Sequence, residues 1–268
     1  MLLNLDEPAI MGILNVTPDS FFDGGKYLSE DHIMQKVNSM DYHGAKIIDI
    51  GGYSSRPNAI DVSEEEELTR ILPTITLIKT NFPDLLISID TFRSKVAEKS
   101  IEAGADIIND ISGGDMDSNM FRCIADLKVP YVLMHMQGTP QTMQENPTYQ
   151  NVVEEVNQFF AEKVNELIQL GVKDIILDPG FGFGKTLEHN YELLNQFHTF
   201  TSFGLPILVG FSRKSMINKV IDTTPEEALN GTTVLNTIAL IKGANILRVH
   251  DVKEANETIK LVSKLNLK

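Results

Sequence analysis

Cysteine is almost missing from this chain: Cys123 stands alone among 268 residues. A lone thiol closes no internal disulfide and builds no thiolate metal cluster, which sets aside stapled secreted scaffolds and zinc ribbons. It falls in the helical pattern Met120-Phe121-Arg122-Cys123-Ile124-Ala125, where a buried structural thiol is expected and a nucleophile is not. Cations are also scarce, with 23 Lys and Arg against 37 Asp and Glu and a formal net charge of -14. A phosphate backbone demands a basic face, so nucleic acid is not expected as a partner. No stretch reaches the ~18 apolar residues of a membrane helix. The N-terminus lacks the positive segment and long apolar core of a secretory signal. The expectation is a cytoplasmic protein that engages neither membrane nor nucleic acid.

Apolar residues are plentiful, at 42% against 22% charged, enough for a large core. Short runs rich in branched residues recur at 10–14, 46–50, 85–90, 106–111, 130–136, 174–178, 206–210 and 246–250. Runs of that length and composition suit strands buried on both faces. Helical spacings separate them at 31–43, 63–79, 94–103, 119–127, 150–170, 187–197 and 225–241, the fifth being the longest. Ser63-Glu64-Glu65-Glu66 reads as a capping box, Pro225 as the first residue of its helix, and Asp251 as the cap of an eighth. Alternating βα units give parallel strands with right-handed crossovers. Eight of them, with no linker or charge run between, predict a single domain over 1–268: a closed (β/α)8 TIM barrel with its chemistry at the C-terminal strand ends. A doubly wound open sheet is the alternative. It needs a G-x-G-x-x-G turn after the first strand, and residues 15–25 supply none.

The strand ends are polar: Asn15, Asp49, Asp90, Asn109, His135, Asp178, Ser212, and Arg248 with His250. Asp49 and Asp110 read as caps of the following helices. Asp90 and Asp178 continue buried strands and need a partner or a ligand. With Asn109 they make a cradle for a flat heterocycle that presents N–H donors beside ring acceptors. Arg56, Arg213, Lys214, Arg248 and His250 form a second, basic set suited to diphosphate or carboxylate. Phe181-Gly182-Phe183-Gly184-Lys185 lacks the spacing of a nucleotide phosphate loop. His135, between two methionines, reads as a satisfied core histidine. Mg²⁺ held by Asn15 and substrate phosphates suits an ion that needs few protein ligands.

The stretches MGILNVTPDSFFDGG, DIGGYSSRP, SIDT, IIND, MHMQGTP, DPGFGFGK, GFSRKS and RVHD occupy nearly every strand end. In that order the chain resembles the dihydropteroate synthases, folate-pathway transferases that join a pterin to p-aminobenzoate. The resemblance implies that Asp90, Asn109, Met134, Asp178, Lys214 and Arg248 line the pterin pocket, with Asp90, Asp178, Lys214 and Arg248 carrying the reaction. It implies that Asn15, Arg56, Arg248 and His250 hold the diphosphate, with Asn15 on Mg²⁺. It places Phe21, Ser55, Pro57, Phe183, Lys214 and Ser215 around p-aminobenzoate, and it implies a homodimer. The second loop departs from the family: residues 51–58 read GGYSSRPN where GGESTRPG is common. Two rival readings are a folate-dependent methyltransferase, which needs no diphosphate site, and a non-catalytic pterin-binding barrel.

Overall fold

The structure, a computed structural model, describes residues 5, 7–17, 30–53 and 62–265. Eight strands form one all-parallel sheet: β1 (Ala9–Asn15), β2 (Ile47–Gly51), β3 (Leu86–Asp90), β4 (Ile107–Asp110), β5 (Tyr131–Met134), β6 (Ile175–Asp178), β7 (Leu208–Val209) and β8 (Ile246–Val249). Their order is β6-β5-β4-β3-β2-β1-β8-β7, and one bridge, Leu177 to Ile207, joins the two ends into a barrel. The expected fold class is the one observed.

Successive strand side chains point to opposite faces, and here the two faces have different tasks. One face is apolar but for Asp110 at the end of β4. Ile48, Ile50, Ile87, Ile89, Ile108, Leu133, Ile175, Leu177, Leu247 and Val249 join the core between barrel and helices. The other face looks into the barrel and changes character along its length. Its floor is a layer of Met11, Ile47, Ile107, Val132, Ile176, Leu208 and Ile246. Two residues further along, the inner positions of β2, β3, β4, β6 and β8 turn polar, and burial of the floor below, at about 1.5–3 kcal/mol per branched side chain, secures them.

Nine α-helices pack outside among the described residues: α1 (Glu30–Tyr42), α2 (Glu64–Asn81), α3 (Ser94–Glu102), α4 (Met120–Leu127), α5 (Val152–Gln169), α6 (Leu187–Asn195), α7 (Ser215–Ile221), α8 (Leu229–Ile241) and α9 (Val252–Val262). Helix α2 turns Ile71, Ile75 and Ile78 inward at helical spacing. It equals α5 at 18 residues, so the fifth helix is not the sole longest. Three local expectations are corrected. Ser63 caps α2 by accepting from Glu66 N, but the Glu66 carboxylate turns to Arg70, so the box is half made. Pro225 does not start a helix. It sits inside a turn closed by Glu227 N to Thr224 O at 3.2 Å, where its fixed φ serves equally well, and the unforeseen α7 precedes it. Asp251 stands at the start of α9 without a side-chain capping bond, because Arg213 holds its carboxylate at 2.7 Å.

Candidate active site

Counting by twos from the apolar floor lands on the site. Ile47 leads to Asp49, Leu86 to Ser88 and Asp90, Ile107 to Asn109, Val132 to Met134, Ile176 to Asp178 and Ile246 to Arg248. Strand pairing sets Asp49 beside Ser88, Asp90 beside Asn109, and Met134 beside Asp178. The hub is Asp49, fully buried and not a helix cap. It accepts from Ser88 Oγ at 2.6 Å, from Asn109 Nδ2 at 3.2 Å and from Arg248 Nε at 2.7 Å. Arg248 Nη2 reaches on to Asp90 at 2.7 Å. Asp110 has the opposite parity and faces outward, where it accepts from Tyr131 Oη at 2.7 Å and from the amides of Ser112 and Gly114. It fastens the turn after β4.

Asn109 Oδ1 is buried with no hydrogen-bond partner, while Nδ2 is committed to Asp49. Asp178 accepts only from Gly180 N, at 2.8 Å through Oδ1, among the described residues. Unmet acceptors in a closed pocket are costly unless a ligand supplies the donors. Burial pushes the Asp90 carboxyl up against the lowering pull of Arg248. Asp178 is raised by burial too, with Lys214 opposing. Burial pulls Lys214 down to about 8, with Asp178 resisting. Desolvation disfavours the Arg248 charge as well, but Asp49 and Asp90 outweigh it and hold the guanidinium firmly protonated.

Lys214 precedes α7, donates to Phe181 O and lies 4.7 Å from the centre of the Phe183 ring. Ser215 opens α7 and is exposed. At the rim Ser212 Oγ lies 2.9 Å from His250 Nδ1 and accepts from His250 N at 3.2 Å. Asn15 ends β1 beside Gly51 of β2.

Residues 11–250 match the pterin binding enzyme family. Dihydropteroate synthase of Escherichia coli strain K12 is 47% identical over 262 residues, covering 97% of this chain and 92% of its own. The chain belongs to the dihydropteroate synthase family. The Haemophilus influenzae member is 45% identical, with 97% of this chain and 94% of that one covered. Among solved structures of the family, Yersinia pestis dihydropteroate synthase in complex with a sulfonamide drug superposes with a TM-score of 0.93 at 42% identity, covering 99% and 97% of the two chains. The Xanthomonas albilineans enzyme with 4-aminobenzoic acid gives 0.92 at 36% identity, covering 99% and 96%.

Within this family member, Asp90, Asn109, Met134, Asp178, Lys214 and Arg248 converge on one barrel mouth, as the sequence suggested. Phe21, Ser55, Arg56 and Pro57 lie outside the described residues. The basic set is less free than expected: Arg248 is shared between two carboxylates and Arg213 is paired with Asp251. Sequence reasoning missed Asp49, Ser88 and Lys185. Strand parity signals the first two, and nothing in the sequence signals the third. His135 is the buried core histidine expected, held by Lys185 at 2.9 Å. Cys123 donates to Ser94 O at 3.4 Å, and burial pushes its thiol up to about 11, far from a nucleophile. A cavity of 280 Å³ outside the barrel, lined by Val16, Ile33, Arg70 and Leu77, holds none of this chemistry.

Among the described residues no cluster of three His, Cys, Asp or Glu could hold a metal ion. One amide oxygen from Asn15 is instead the kind of sparse donor set that fits Mg²⁺, which keeps its waters and draws its other ligands from phosphate.

Proposed function

We propose that the chain joins 7,8-dihydropterin-6-ylmethyl diphosphate to p-aminobenzoate, forming 7,8-dihydropteroate and releasing diphosphate. The observation that carries this reading is the acceptor-rich layer above the apolar floor. Asn109 Oδ1 is buried and unpartnered, and Asp178, two strands away in the same layer, has one oxygen uncommitted among the described residues. A pterin presents a row of N–H donors that such a layer would satisfy.

The C–O bond at the pterin methylene breaks first, its electron pair leaving with the diphosphate. The positive charge left behind spreads into the ring, where Asp90 and Asp178 stabilise it in a pocket of low dielectric. The arylamine lone pair then forms the new C–N bond, and the resulting ammonium, strongly acidic, gives its proton to water without a dedicated base. Arg248 Nη1, which makes no bond among the described residues, serves the departing diphosphate together with Arg56 and His250. Ser212 Oγ, 2.9 Å from His250 Nδ1, orients the ring at the rim where the diphosphate would lie. Asn15 would hold Mg²⁺, which when bound neutralises charge on the diphosphate. Lys214 spans the pterin and arylamine positions. The p-aminobenzoate carboxylate goes to Ser215, and Phe21, Ser55, Pro57 and Phe183 enclose its ring.

As a folate-pathway synthase of this kind the chain would work as one domain over 1–268 in the cytoplasm. No helix among the described residues is long and apolar enough to cross a membrane. Two copies associate through the outer faces of α7 and α8, where Val220, Ile221, Val234 and Ile241 are exposed, and sedimentation at a dimer mass tests this. Incubation with the pterin diphosphate and radiolabelled p-aminobenzoate tests the activity. Labelled dihydropteroate supports it. Pterin binding without product leaves the non-catalytic barrel, and methyl transfer from a folate leaves the methyltransferase.

A further inference from the structure

Residues 180–184 carry three glycines with φ of 68, 82 and 60°, a composition that normally makes a loose loop. This one is fastened at every carbonyl. Lys185 Nζ donates to Gly180 O at 3.0 Å and Phe183 O at 2.9 Å. Lys214 takes Phe181 O, Gln144 takes Gly182 O at 2.8 Å, and Tyr149 takes Gly184 O at 2.7 Å. Lys185 supplies two of the five bonds and also crosses to the loop after β5, reaching His135 Nδ1 at 2.9 Å and His135 O at 3.2 Å. The two loops touch backbone to backbone. A Cβ built on Gly180 would lie 1.9 Å from His135 O, and one on Gly184 would lie 2.4 Å from Gln137 O.

Lys185 is 3% exposed and has no carboxylate in hydrogen-bond contact among the described residues, so its amine gives up water for three backbone carbonyls and the His135 ring nitrogen. An apolar side chain would fill the same space without that penalty. What the amine adds is geometry: it fixes Phe183 O, hence the ring that faces Lys214, and it holds the turn whose Phe181 O anchors Lys214 itself.

We propose that Lys185 is a positioning residue for the arylamine subsite, tying the loops after β5 and β6 together so that Phe183 and Lys214 keep their places. This rests on the synthase reading above. The test is Lys185→Met, with wild-type turnover as the control: a wild type that makes no dihydropteroate sinks the synthase reading, not this one. Where wild type is active, the variant should raise KM for p-aminobenzoate, which meets both Phe183 and Lys214, about tenfold, while KM for the pterin diphosphate, which meets Lys214 but not Phe183 and keeps its other partners, stays within about threefold, a split that general destabilisation would not give. Hydrogen exchange, which needs no substrate, should show faster exchange at the amides of Gly182 and Phe183 with α5 and α6 unchanged. Lys185→Gln, one atom shorter but still a donor, should fall between, and it stands in if the Met variant does not fold. Unchanged exchange in the loop, or equal rises in both KM values, would overturn the proposal.

Discussion

Asp49 gathers three donors onto one buried carboxylate, and Arg248 and Asn109 are both oriented through it. Asp49→Asn keeps the shape but turns one acceptor into a donor aimed at other donors. Breaking a buried ion pair in this way costs about 3 kcal/mol. We expect a loss of that size in urea denaturation and a weaker pterin affinity by calorimetry. Normal stability together with normal affinity would remove Asp49 from its central role. Lys185 makes a second case. Burial pulls its amine from 10.5 down to about 7, so between those values the native state holds fewer protons than the unfolded chain. Stability therefore rises with pH from about 7 to 10.5, by at most about 1.4 kcal/mol per pH unit for this group. Lys214 is shifted the same way, so denaturation at pH 7, 8 and 9 should show a slope that Lys185→Met reduces without abolishing. Asp90 and Asp178 were legible as strand-end carboxylates needing company. Asp49 was misread as a cap because the strand was judged by its end and not by the parity of its positions. Lys185 was illegible, since only the fold brings His135 to it.

The loop from Gly180 to Gly184 is an element with almost no slack. Gly180→Ala forces a Cβ into His135 O at φ 68°, whereas Gly171→Ala, at φ 90°, meets nothing within 4 Å. The first should cost about 3 kcal/mol or more and the second about 1 kcal/mol, strain alone, as read from paired melting curves. Comparable losses would mean that the loop yields. Tyr53 belongs to a different element, the segment leaving β2. It is buried, its ring meets Phe92 edge-on at 5.1 Å, and its hydroxyl accepts from Gln141 Nε2 at 2.8 Å. Tyr53→Glu sets a carboxylate among Phe92, Met134 and Met143. We expect about 2 kcal/mol lost in stability and both KM values within threefold. A large KM change at unaltered melting temperature would instead put Tyr53 in contact with substrate. Element types other than α7 were readable from apolar spacing. Their ends were not: Pro225 fits a turn as well as a helix start, and α7, only seven residues long, shows too little periodicity to be seen.

At the scale of the whole molecule, eight βα repeats announced a barrel, but not how unevenly it is joined. Strands β1 and β2 share five registered pairs, whereas β6 and β7 meet through one bridge and the bond from Leu177 N to Pro206 O at 2.8 Å. The shortness of β7, two residues, leaves no more to pair. Hydrogen exchange should therefore release peptides spanning 206–210 before any from β1 to β5. Protection equal on all strands would show the seam to be as strong as the rest.

That seam divides the site. Asp178 ends the strand on one side of it, and the chain leading to Lys214 and Ser215 leaves the strand on the other. A hoop cut at one point widens at the cut, and widens there without bending elsewhere. Groups proposed for both substrates thus stand on each lip of that joint, Asp178 and Phe183 on one and Lys214, Ser215 and Arg248 on the other. We expect a product longer than either substrate to find its room there, where the wall has the fewest backbone bonds to part.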